Sequence, residues 1–240
     1  MVSTFAGTNL AGYADGTGKA ARLKYPNDVA ADAAGNLWVS DEGNHMIRKV
    51  SSAGVVTTLT GNLSYGWVDG PLGIARLNVP RGLALDGAGN LFVADGGNHA
   101  VRKLAPDGTL TTVAGFGTAG YQDGPLPFGV RMTEPWGIGV DPAGVLWVTE
   151  AANAAHRVRA LVPGGRSYTV AGSAAKGAVD GIGAAALLNF PTGVLALPGG
   201  ELLVSGNDDH RLRKIKPAFK SCDDANACTL DACAPKQGCQ

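Results

Sequence analysis

What this chain lacks narrows it before any motif is read. No apolar run approaches the ~20 residues of a membrane-spanning helix, so membrane insertion of this chain is not expected. Twenty basic residues balance twenty acidic ones, and no like-charged block runs five or six long, so nucleic acid and anionic membrane surfaces are not expected as partners. The chain also lacks H-E-x-x-H, G-x-S-x-G and any Walker loop, and it has no thiol before Cys222. Those absences remove the usual zinc-protease, hydrolase-elbow, nucleotide and cysteine-nucleophile signatures. The first ten residues, MVSTFAGTNL, have neither a basic start nor an apolar stretch, so no signal peptide is read there.

The cysteines point elsewhere. Cys222, Cys228, Cys233 and Cys239 crowd into the last 19 residues, and dense cysteine in a short segment belongs to oxidising compartments. An extracellular or cell-surface location is therefore expected, with an export signal upstream of this chain. Two disulfides are expected among the four, in any of three pairings. Asp223, Asp224, Asn226 and Asp231 lie between them, in the role of turn formers rather than calcium ligands.

Glycine is abundant, with 36 residues spread through DG, GG and GN dipeptides, which punctuates many short strands. A unit repeats four times: T-x-x-G, a loop ending in D-G, A-x-(L/F)-x-x-P, an apolar strand, a G-N-L-x-V strand, and a histidine stretch. Asp15, Asp69, Asp123 and Asp180 mark the loops, and their spacing gives periods of 54, 54 and 57 residues. Pro26, Pro80, Pro135 and Pro191 open the strands that follow. In the first unit, VAAD, LWVS, MIRKV and VVTTLTG are strand-length and are separated by AAGN, DEGNH and SSAG, all turn chemistry. Four short antiparallel strands per unit, in tandem, make an all-β chain and a β-propeller.

The motif P-x-G-x-A-x-D-x-x-G-N-L-x-V-A-D-x-x-N-H-x-I-R-K-V resembles the NHL repeat of the long-loop kind. PRGLALDGAGNLFVADGGNHAVRKL, in the second unit, is its nearest copy. Propellers of that family commonly have six blades. Four units therefore imply either a closed four-bladed ring or four consecutive blades of a larger propeller. Closure would have residues 2–6, within VSTFAG, complete the last blade, which ends at HRLRKIK without a fourth strand. The expected domains are a propeller over 1–216, a linker over 217–221 and a disulfide-rich tail over 222–240. The tail resembles the CTDC-type repeat of slime-mould and myxobacterial secreted proteins.

Four histidines, His45, His99, His156 and His210, open the third strand of each unit, and Arg48, Arg102, Arg159 and Arg213 follow at fixed distance. With strands about 4.8 Å apart, the third lies ~10 Å outside the first. Opposite histidines are then ~20 Å apart or more, too far to share a zinc ion. They are expected to be structural, bonded to Asp41, Asp95 or Glu150 or to backbone at the turn. Asp32, Asp86 and Asp141 close the innermost strands, where carboxylates could gather a cation. Each is read instead as the acceptor of a D-x-x-G turn, and Leu197 interrupts the ring.

No cofactor is expected. Tyr13, Trp67, Tyr121 and Phe128 place aromatic groups on the Asp-Gly loops, where a protein or polysaccharide partner would bind. The function expected is a non-enzymatic interaction scaffold. The alternatives are a metal-dependent lyase or hydrolase at the channel mouth, and a structural spacer.

Overall fold

Residues 1–61, 63–152 and 155–217 are described by the computed structural model. Of the expected linker and tail, only residue 217 falls inside it, so the four cysteines lie outside the described residues.

Each unit folds into an antiparallel sheet. Blade 1 holds β2 (Pro26–Ala31), β3 (Leu37–Asp41), β4 (Met46–Val50) and β5 (Val55–Gly61), with the two-residue β1 (Gly16–Thr17) laid on the outer edge of β5. Blade 2 holds β6 (Pro80–Leu85), β7 (Leu91–Asp95), β8 (Ala100–Leu104) and β9 (Leu110–Ala114). Blade 3 holds β10 (Pro135–Val140), β11 (Leu146–Ala152), β12 (Ala155–Leu161) and β13 (Ser167–Ser173). Blade 4 has three strands among the described residues: β14 (Pro191–Ala196), β15 (Leu202–Gly206) and β16 (Arg211–Ile215).

Local chemistry sets the hairpins. The Asp32 carboxylate accepts the N–H groups of Ala34 and Asn36, while Gly35 takes the left-handed conformation at φ 80° that the turn requires. Between the second and third strands a single 3-10 turn, Glu42–Asn44, is ended by His45 at φ 59°, and Gly96–Asn98 is ended likewise by His99 at φ 52°.

The apolar core lies between blades. Ile47, Leu83, Val93 and Leu110 join blades 1 and 2. Phe92, Val101, Ile138 and Val148 join blades 2 and 3, and Trp147, Val158, Leu202 and Val204 join blades 3 and 4. Blade 1 also carries a small cluster of Ala21, Val50 and Val56, with Ala6, Leu37 and Val39 packed against it.

Among the described residues a fourth junction, between blades 4 and 1, is not made. A Cβ on Gly82 of β6 would lie 2.5 Å from Trp136 O of β10, and one on Gly137 of β10 would collide with Thr192 O of β14. At Gly193, on β14, a Cβ would meet only Ser205 of its own blade. Val29 of β2 and Leu195 of β14 are correspondingly 55% and 58% exposed. Of the two expected arrangements the structure takes the second: four consecutive blades in an open arc. Residues 2–5 form no strand. They lie against blade 1, where a Cβ on Gly54 would be 3.4 Å from Phe5 O, so the expected completion of blade 4 within one chain does not occur.

Among the described residues no helix is long and apolar enough to cross a membrane.

Candidate functional site

The repeated arginines and histidines hold the blades together. Arg102 Nη1 donates to Asp95 Oδ2 at 2.8 Å and to Arg76 O at 3.2 Å, and Nη2 donates to Asp69 Oδ1 and to Val68 O at 3.1 Å. Asn98 Nδ2 and the Asn78 N–H also donate to Asp95, each at 2.7 Å. Arg48 repeats this with Asp41 and Asp15, and Arg159 with Glu150 and Asp123. Each arginine thus ties its Asp-Gly loop to the third strand of its own blade. Burial pushes the Asp95 carboxyl up to about 6, against the pull of Arg102, and leaves it ionised at neutral pH.

The histidines do not bond those carboxylates: Asn44 and Arg48 hold Asp41, Asn98 and Arg102 hold Asp95, and Arg159 and the Thr133 N–H hold Glu150 Oε1. Instead Nδ1 of His45, His99 and His156 accepts the backbone N–H of Val79, Glu134 and Phe190, at 3.1, 3.1 and 3.2 Å. Each acceptor sits on one blade and each donor opens the next. The donors hold φ of 55°, 42° and 52°, a left-handed conformation in which that N–H is turned toward the preceding blade. The equivalent donor for His210 would be Tyr25, at φ 50° on blade 1. Across the open arc the two do not meet, and His210 is exposed.

Burial holds the imidazoles of His45, His99 and His156 below the ordinary histidine value of 6.5. The folded protein therefore binds fewer protons at these sites than the unfolded chain. Their contribution is whole above about pH 6.5 and is lost as the pH falls. Asp95 and Glu150, both raised by burial, act in the opposite sense, so a single variant isolates the effect. His99→Asn keeps a left-handed former and places Oδ1 near the position of Nδ1. Urea unfolding is expected to show a cost below about 1 kcal/mol at pH 7. On acidification to pH 5 the wild type should lose stability relative to the variant.

The carboxylates at the far ends of the inner strands are committed to turns. Asp86 accepts N–H groups from Ala88 and Asn90 at 2.9 and 2.8 Å and from Asn90 Nδ2 at 2.8 Å. Asp141 accepts from Ala143, Val145 and Trp147 Nε1. Donation by the Asn36 side chain holds Asp32 below the usual carboxylate range; at Asp86 burial pushes the other way and the Asn90 donors outweigh it. Among the described residues no three of His, Cys, Asp and Glu come together as a metal cluster.

The loop aromatics are carried on different blades. Tyr13, Trp67 and Tyr121 each stand two residues before the loop aspartate, and each packs on its own blade. Trp67 Nε1 donates to Thr112 Oγ1 at 3.0 Å, Tyr121 meets the Thr169 hydroxyl at 3.2 Å, and the Arg157 guanidinium lies 4.0 Å from the Tyr121 ring. Tyr13 lies 5.4 Å from the Arg48 guanidinium. Part of each ring faces solvent, as does Phe128.

A different place collects unlike side chains. The residue after each strand-opening proline is Asn27, Arg81, Trp136 or Thr192. Asn27, Trp136 and Thr192, with Asp28 and Ser205, line a cavity of about 560 Å³ in the central channel, and Arg81 joins them by stacking on Trp136. The Arg81 guanidinium stacks 4.0 Å from the Trp136 ring centroid and pairs with Glu134 at 3.3 Å and Glu42 at 3.8 Å. Asn27 Nδ2 donates to Glu42 at 2.8 Å, and Phe190 meets the edge of Trp136. Aromatic faces with amide and hydroxyl groups suit a polar partner with many hydroxyl or amide groups. The sequence reading passed over this cluster. Its signal was there: one position changes in every unit while its neighbours Pro and Gly repeat.

Residues 23–50 and 77–104 match the model for the NHL repeat, and residues 221–240 match that for a Dictyostelium (slime mold) repeat. The chain is 26% identical to Protein SUPPRESSOR OF QUENCHING 1, chloroplastic, of Arabidopsis thaliana over 87% of its length and 21% of that protein's. It is 30% identical to NHL repeat-containing protein 2 of Gallus gallus over 58% of its length and 20% of that protein's. It thus spans about a fifth of these relatives. An auxiliary nutrient binding protein from Bacteroides ovatus superposes with a TM-score of 0.63 at 20% identity, covering 83% of this chain and 50% of that one. The repeat pattern, the four sheets and these matches agree: the chain carries NHL repeats at 23–50 and 77–104 and is folded as four blades of a β-propeller.

Proposed function

We propose that this chain is a non-enzymatic extracellular interaction scaffold that binds a protein or polysaccharide. The mouth around Arg81 and Trp136 is its main contact, and Tyr13, Trp67, Tyr121 and Phe128 form a second, peripheral set. One observation carries the reading. Side chains that build the blades recur in every unit, whereas Asn27, Arg81, Trp136 and Thr192 differ at one equivalent position; Asn27, Trp136 and Thr192 line one mouth, and Arg81 stacks on Trp136 beside it. Recognition of an asymmetric partner needs such non-equivalence, and a structural part does not. The extracellular setting is supported by the match of the tail to a slime-mould repeat.

The test is an array of purified polysaccharides and secreted proteins probed with the fluorescently labelled chain. Trp136→Ala is expected to weaken binding about 30-fold, the size of a ~2 kcal/mol anchor, with an unchanged unfolding midpoint. The pair Trp67→Ala and Tyr121→Ala should have a smaller effect. Equal binding by wild type and both variants would refute the assignment of this face.

A further inference from the structure

We propose that blade 4 is completed by residues 2–7 of a second copy of this chain, which enter as its fourth, outer strand. Beside β16 lies a cavity of about 890 Å³ lined by Asp180, Gly183, Ala186, Leu188, Arg213 and Ile215. In blades 1 to 3 the equivalent space is filled by β5, β9 and β13. Among the described residues β16 pairs only with β15, which leaves a row of unpaired backbone groups that favours addition of a strand.

The occupant is identified by its fit to the three outer strands present. VSTFAG at 2–7 aligns with VTTLTG at 56–61, LTTVAG at 110–115 and SYTVAG at 167–172. In each of these the third residue, Thr58, Thr112 or Thr169, donates its N–H to the loop aspartate, Asp15, Asp69 or Asp123, at 3.2, 3.0 and 2.9 Å. Thr4 holds that place in the incoming strand. Its partner would be Asp180, whose side chain meets Arg213 yet is 94% exposed. The last residue is a left-handed glycine in every case, at φ 91°, 87° and 89° for Gly61, Gly115 and Gly172, and Gly7 already stands at 89°. A Cβ at any of the first three would collide with the carbonyl of His45, His99 or His156. The register of the other blades therefore carries over, placing Leu212 opposite Ala6, Arg213 opposite Thr4 and Lys214 opposite Ser3.

The donating segment is held ready for this pairing. The Gly7 N–H donates to Gly18 O at 3.0 Å, as Gly115 does to Pro127 O and Gly172 to Gly183 O at 3.1 Å, each from an outer strand to the loop of the following blade. Residues 2–7 thus sit on blade 1 in the position of an outer strand of a preceding blade, at the opposite end of the open arc from β16. A second copy supplies that blade. The contact is head to tail, and it brings His210 of one copy toward the Tyr25 N–H of the other.

The experiment uses the full chain. Isotopically heavy and light copies are co-refolded, a diazirine side chain at position 3 is photoactivated, and the crosslinks are mapped by mass spectrometry alongside light scattering. The expected result is mixed heavy and light crosslinks between residue 3 and residues 212–215, in a species larger than a monomer. Thr4→Pro, at a site outside any strand of its own chain, should raise the dissociation constant at least tenfold, and Asp180→Asn should act in the same direction. Crosslinks to 212–215 confined to one isotope would mean closure within a single chain and would overturn the proposal. So would crosslinks confined to blade 1 or to residues 218–240, or a monomer at 100 µM.

Discussion

Replacing Arg102 by methionine is expected to destabilise the protein by about 3–5 kcal/mol, the range for removing one partner of a buried ion pair. Arg102 and Asp95 are both fully buried, and the guanidinium serves two carboxylates and two carbonyls at once. Methionine fills much of the volume but leaves Asp95 charged, with only the Asn78 and Asn98 donors. Loss of the cation raises the Asp95 carboxyl beyond the value of about 6 it already has. A carboxyl raised in the folded state carries its penalty in full above that value and sheds it as protonation proceeds below. The variant should therefore recover part of its deficit between pH 7 and pH 5, read by urea unfolding at both. Arg102→Lys should rescue little, because a single ammonium cannot reach Asp95 and Asp69 together as the planar fork does. Asp95→Leu combined with Arg102→Met should return much of the loss. Cost without pH dependence, or rescue by lysine, would refute this account of the network.

The strands, the blade count and the turn role of Asp32, Asp86 and Asp141 were legible because they depend on local chemistry. A D-x-x-G turn closes on its own carboxylate whatever lies beyond it, and the two-residue period shows in each strand. The histidine partner was legible only in part. Asp41 and Asp95 look available in the sequence, but Arg48 and Arg102, two residues into the next strand, reach them first. Nδ1 of the left-handed histidine is then left facing the next blade. The open arc was not legible at all. Whether β14 meets β2 depends on the angle between neighbouring blades, which sums over three interfaces and leaves no mark on any one unit. The mouth cluster lay between these cases: the change from Asn27 to Arg81, Trp136 and Thr192 is plain in the alignment of units, but its convergence needs the radial order of the strands.

Gly137→Ala and Gly193→Ala should separate sharply, and their difference reports the open arc. The two glycines occupy equivalent positions on β10 and β14, two residues after the opening proline. At Gly137 the new Cβ collides with Thr192 O and lies 3.1 Å from Gly193 Cα, both backbone atoms of blade 4. They cannot move unless the blade moves. A cost of about 2–3 kcal/mol follows, at the upper end for overpacking, with loosening of the Trp147 and Leu202 cluster seen as faster amide exchange in β14 and β15. At Gly193 the Cβ meets Ser205 Oγ at 2.6 Å, the end of a side chain that turns away by one rotamer, so the cost should stay below about 1 kcal/mol. The comparison is made at a concentration where the chain is monomeric, because a neighbouring blade from another copy would crowd Gly193 as blade 4 crowds Gly137. Equal costs in the monomer would mean that blade 1 stands against blade 4 and that the ring is closed. A large cost at Gly193 that appears only as the concentration rises would trace the same junction to a second chain.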